Sequence, residues 1–90
     1  MNTTIHNTQD TKEGTRRFII EKLEKLETFS DRIERCDVYI KTDDGNINTD
    51  GYTVQARLAI PGNDLFAEFT DESIEKAATE VTDKLRRQLI

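Results

Sequence analysis

The chain has 90 residues, enough for one modest core and too few for two. Thirteen lysines and arginines stand against 18 aspartates and glutamates, a net charge of −5, while charged and hydrophobic residues each make up 34%, a patterned balance unlike that of a disordered chain. No apolar run approaches the ~20 residues a membrane-spanning helix needs, and the opening MNTTIHNTQD has neither the basic start nor the apolar centre of a secretory signal.

Met1 to Gln9 offers Ile5 as its one firmly apolar side chain, and its threonines favour a short edge strand or a frayed arm over residues 1–10. Lys12 to Thr28 reads as a helix, with Phe18, Ile19, Leu23 and Leu26 at helical spacing and charged residues between them. Asp10 or Thr11 is a candidate N-cap. Gly14 weakens the first turn by about 1 kcal/mol relative to alanine. Glu21 and Lys25 have the favourable acid-before-base order four residues apart. Phe29-Ser30-Asp31-Arg32 breaks the helix.

Ile33 to Thr42 alternates, with Cys36, Val38 and Ile40 on one face and Asp37, Tyr39 and Lys41 on the other. A single cysteine excludes an internal disulfide and a cysteine-based zinc site, and its apolar phase makes it a buried, inert thiol. His6, the only histidine, has no second ligand nearby and reads as a surface or strand residue. The polar stretch from Asp43 to Gly51 is rich in Asp and Asn, which invites a calcium reading. Counted from Asp43, however, residue 48 is Asn and residue 54 is Val, where the EF-hand loop requires Gly and Glu. It is a hairpin loop.

The strongest period-2 signal runs from Tyr52 to Phe69. Tyr52, Val54, Ala56, Leu58 and Ile60 share one face, Pro61-Gly62-Asn63-Asp64 makes a turn, and Leu65, Ala67 and Phe69 resume the alternation. Thr70 or Asp71 then caps a helix to Leu89 whose apolar stripe is Ile74, Ala77, Ala78, Val81, Leu85 and Leu89. Its far side spaces Glu72 with Lys76, Glu80 with Lys84 and Asp83 with Arg87 as an ion-pair ladder. The last turn is basic.

The order β-α-β-β-β-α predicts an α+β domain over residues 1–90. It consists of a four-stranded mixed sheet with both helices packed on one face and the other face wet. No histidine near a serine or cysteine, glycine-rich phosphate loop or HExxH motif appears, so the residues point to a binding module, not an enzyme, with no cofactor or metal.

Three blocks carry a family likeness: FIIEKLEKLETFSDRI (residues 18–33), VQARLAIPGNDLF (54–66) and DKLRRQL (83–89). In order and at matching separations, they resemble the ribosome hibernation-promoting factors, also called ribosome-associated inhibitors, in a short, Bacteroidetes-like form. The likeness spans roughly residues 14–89. It implies a layout related to double-stranded-RNA-binding domains and a cytoplasmic protein acting in the stress response. Such a protein binds the rRNA of the small ribosomal subunit near the decoding region and sterically blocks mRNA and tRNA. No membrane, DNA or small-molecule substrate is implied as a partner.

The resemblance places RNA contacts at Arg16, Lys22, Lys25, Arg32, Lys41, Lys84 and Arg87, positions commonly basic in the family. Arg57 matches a basic position of the Bacteroidetes-like form, and Arg86 joins them from the basic last turn. Cations of both helices are expected to converge on one surface, held to phosphates by counterion release. The chain departs from the family pattern in its acidic net charge and its weakly apolar first strand. It also ends at Ile90 without a Lys/His-rich tail or a C-terminal dimerisation domain, so pairing of ribosomes by this chain unaided is not expected. The alternative is a divergent paralogue without rRNA affinity that docks a protein partner through an aromatic patch around Tyr39 and Phe66.

Overall fold

The computed structural model describes residues 1–6, 12–42 and 51–90. The elements are β1 (Asn2–His6), α1 (Glu13–Glu24) continued by a 3-10 turn (Lys25–Thr28), β2 (Arg35–Thr42), β3 (Tyr52–Ile60), β4 (Asn63–Asp71) and α2 (Ile74–Leu89). One sheet holds the strands in the order β1-β2-β3-β4, with β1 parallel to β2 and the other pairs antiparallel. The parallel pair requires a crossover, and α1 provides it.

Alternation decides which sheet face the helices cover. Cys36, Val38 and Ile40 of β2 and Val54, Ala56 and Leu58 of β3 are buried, and with Ala67 of β4 they form the floor of the core. Ile19, Leu23 and Leu26 from the first helical segment and Ala77, Ala78, Val81 and Leu85 from α2 close it from above. Helix α2 lies over β3 and β4 and packs beside α1. Alanines at 56, 67, 77 and 78 let its backbone approach the sheet closely, as tight interior packing requires. Tyr52, at the end of the β3 stripe, is exposed.

Several boundaries differ from the sequence reading, each for a local reason. The first helix ends its α-geometry at Glu24 and tightens into a 3-10 turn, which Phe29 N–H closes on the Leu26 carbonyl at 3.0 Å. Its cap position is Lys12, whose side chain makes no capping bond; Asp10 and Thr11 lie outside the described residues, as does the loop from Asp43 to Asp50. Strand β2 begins at Arg35, with Ile33 buried just ahead of it. The β3–β4 turn contracts to Pro61-Gly62, because Ile60 pairs with Asn63 and Ala59 with Asp64. Gly62 at φ 86° provides the positive φ that a turn of this kind needs after proline.

Helix α2 begins at Ile74, later than the sequence implied, because β4 continues until Asp71 pairs with Tyr52. Ser73 is its N-cap: the Ser73 Oγ accepts from Lys76 N–H at 3.3 Å, while Asp71 Oδ2 accepts from Ser73 N–H at 2.8 Å. The expected capping role of Asp71 is thus passed one step along the chain.

Candidate nucleic-acid interface

The two helices start level with each other. Thr15 Oγ1 in the first turn of α1 donates to Glu75 Oε1 in the first turn of α2 at 3.4 Å, and α2 also meets the 3-10 turn that ends the first helix. They therefore run parallel, and both helix C-termini lie at the same end of the molecule. With 3.6 residues per turn, Thr15, Phe18, Lys22 and Lys25 share the flank of α1 that faces α2. By the same spacing Glu75, Thr82 and Arg86 share the facing flank of α2. Level counting from the Thr15–Glu75 contact sets Lys22 beside Thr82 and Lys25 close to the height of Arg86.

Lys22, Lys25 and Arg86 thus border one groove at the helix C-termini, where the negative end of each helix dipole favours cations. Lys22 Nζ stands 5.7 Å from the centre of the Phe18 ring. Arg86 Nε lies 3.9 Å from Asp83 Oδ1, an exposed contact of small worth. Glu24 and Glu27 fall on the opposite flank of the first helix, and Glu27 receives the N-terminal ammonium of Met1 at 3.4 Å.

The remaining candidates lie elsewhere. Arg16 is exposed on the flank of α1 away from α2, and Arg32 is exposed in the turn after the 3-10 segment. Arg87 is exposed on the outer side of α2. Lys84 occupies the β4 flank of α2: its Nζ donates to the Glu68 carbonyl at 3.1 Å and sits 5.2 Å from the Phe69 ring centre. Gln88, one turn on, donates to the Phe66 carbonyl at 2.9 Å. Lys41 and Arg57 are on the sheet face opposite both helices, by strand alternation. The helix cations therefore split between the groove, the β4 border and the outer surface.

The ion-pair ladder does not form. Among the described residues the ion pairs within 4 Å are Met1–Glu27, His6–Asp37, Arg17–Glu13, Arg35–Asp37 and Arg86–Asp83. Arg16, Lys22, Lys25, Arg32, Lys41, Arg57 and Arg87 have none there, and Glu21 does not hold Lys25. By contrast, the depression of about 390 Å³ beside the start of α2 is lined by Phe69, Asp71, Glu75, Lys76, Thr79 and Glu80, an acidic wall unsuited to phosphate.

The open sheet face has its own network. His6 Nε2 lies 3.1 Å from Asp37 Oδ1, and Arg35 Nε donates to Asp37 Oδ2 at 3.1 Å. The His6 bond, with Arg35 adding to it, holds the Asp37 carboxyl below the usual carboxylate range against the opposing effect of burial. The imidazole of His6 stacks on Tyr39, with centroids 4.6 Å apart and planes 12° from parallel. Arg35 was not among the expected site residues; its place on the polar phase of β2 was the available signal. On the other side of the same strand Cys36 is fully buried, and burial, helped by Asp37, pushes its thiol up to about 12.

Among the described residues no three His, Cys, Asp or Glu side chains are grouped to hold a metal, and no helix is long and apolar enough to cross a membrane. A mixed four-stranded sheet backed by two parallel helices, with cations at their shared end, defines a small α+β protein. The chain belongs to the sigma 54 modulation protein / S30EA ribosomal protein family, whose pattern matches residues 1–90. Among solved structures it is similar to the Thermus thermophilus Protein Y N-terminal domain, at a TM-score of 0.82 and 19% identity over 99% of this chain and 96% of that one. It is also similar to a ribosomal subunit interface protein from Coxiella burnetii, at a TM-score of 0.82 and 21% identity over 99% of this chain and 93% of that one. At these identities the likeness is one of fold. No curated protein sequence gives a significant match.

Proposed function

We propose that this chain is a ribosome hibernation factor of the cytoplasm. It binds the small ribosomal subunit through rRNA near the decoding region and silences translation by occupying the passage of mRNA and tRNA. The observation that carries this reading is the family match over residues 1–90. The groove bordered by Lys22, Lys25 and Arg86 supplies the means. Lys22 and Lys25 have no ion pair among the described residues and Arg86 has only an exposed one with Asp83, and such cations gain by displacing counterions from phosphate. The action is steric: the body measures 41 × 23 × 18 Å and needs no reacting group to fill a channel. Arg16, Arg32, Lys41, Arg57, Lys84 and Arg87 add contacts where rRNA wraps beyond the groove.

Co-sedimentation with purified small subunits tests the reading. Association is expected at low salt and dissociation as salt rises, and the combined change Lys22→Gln, Lys25→Gln and Arg86→Gln should flatten the log–log salt slope by about 2 to 3, roughly one unit per lost phosphate contact. A protein that fails to sediment with ribosomes at any salt would instead favour the paralogue with a protein partner.

A further inference from the structure

The geometry points to a second RNA-binding surface: the open face of the sheet is a platform for unpaired RNA bases, independent of the helix groove. Tyr39 of β2 and Phe66 of β4 are 40% and 46% exposed there. They lie two strands and two residues apart, about 12 Å by strand geometry, and the β3 side chains between them are Gln55, opposite Tyr39, and Arg57, opposite Phe66.

Two acids of the platform are engaged. Asp37 is taken by His6 and Arg35, and Glu68 accepts from Gln55 Nε2 at 2.8 Å. The Thr53 and Thr70 hydroxyls are bonded to each other at 2.7 Å. His6 stacks on one side of the Tyr39 ring, which remains 40% exposed. Arg57 and Lys41 remain, long cations without an ion pair among the described residues. Among the described residues Asp64 is the one acid of the face without a side-chain partner, and it sits at the turn end beside Ala59.

Exposed rings with uncommitted cations between and beside them are what single strands require, since stacking accepts any base and the cations follow the backbone. A protein-docking face needs contiguous apolar area, and here Arg57 and Gln55 interrupt it. A duplex offers no unstacked base to the rings.

Fluorescence anisotropy of a labelled eight-nucleotide oligouridylate titrated with the whole chain tests this without ribosomes. Binding that weakens with salt is expected, with a loss of about 5- to 150-fold on Tyr39→Leu or Phe66→Leu, the range for losing one stacked base. Phe66→Tyr should retain binding, Arg57→Gln should weaken it, and the groove variant of Lys22, Lys25 and Arg86 should bind the oligonucleotide within about twofold of the parent while its ribosome binding is weakened and its salt slope flattened. Circular dichroism confirms that each variant is folded. No binding, leucine variants that bind like the parent, or a loss confined to the groove variant would overturn the inference. Self-association abolished by Phe66→Leu, without oligonucleotide binding, would overturn it in favour of a protein partner. Because the two readouts are separate, loss of the ribosome reading leaves this one standing, and the reverse.

Discussion

Asp37 ties the two strands β1 and β2 together on the open face, since its carboxylate meets His6 from β1 and Arg35 from its own strand while His6 stacks on Tyr39. The folded protein holds this group below the ordinary carboxylate range, so the unfolded chain takes up its proton first as pH falls. Its contribution to stability is complete above the unfolded value of about 4 and is lost as pH drops from there through the lower folded value. Asp37→Asn should therefore lower the urea midpoint at neutral pH and narrow the gap to the parent at acid pH, measured from pH 7 down to about pH 2. A gap that stays constant with pH would assign Asp37 a packing role only. Much at this scale was legible. The phase of Cys36 announced a buried thiol, and His6 read correctly as a strand residue. What His6 touches was not legible, because its partner lies 31 residues away and is set by the parallel register of β1 on β2.

Strands were easier to place than the ends of helices. Alternation from Tyr52 onward fixed the faces of β3 and β4, since a one-residue slip would expose every apolar side chain. The start of α2 was read too early because Thr70 and Asp71 are both good caps. The antiparallel pairing of Asp71 with Tyr52 outweighed that preference and left Ser73 to begin the helix. Ser73→Ala should cost about 1 kcal/mol in chemical denaturation, and Thr70→Ala should cost less, since Thr70 makes its contact across the sheet to Thr53. Equal effects would return the cap to the earlier position. The ladder of charges along α2 failed for a related reason: Lys84 found a carbonyl and an aromatic ring of β4, which hold it better than a solvated glutamate one turn away.

For the molecule as a whole, the layer arrangement followed from element order and apolar faces, but the map of positive charge did not. Which flank of a helix meets its neighbour depends on how the helix is rolled on the sheet, and no residue spacing states that. Rolling α2 so that Glu75 meets Thr15 sends Arg86 into the groove and turns Lys84 and Arg87 out of it, although all three sit in one basic turn. Net charge is a poor guide for the same reason: the −5 total includes the acidic wall near the start of α2, remote from the helix C-termini. Arg86→Gln should thus weaken small-subunit binding several-fold more than Lys84→Gln in sedimentation at a fixed, moderate salt. The opposite ranking would move the RNA contact to the β4 side.

Lys84 and Gln88 have one more effect. By occupying the Glu68 and Phe66 carbonyls they deny the outer border of the sheet to a strand from another copy, and the opposite border, β1, spans five of the described residues. Neither margin offers a long template for fibrillar growth, which is how natural sheets avoid polymerising edge to edge. Edge-to-edge pairing of two copies along the β4 border is opposed by these two side chains.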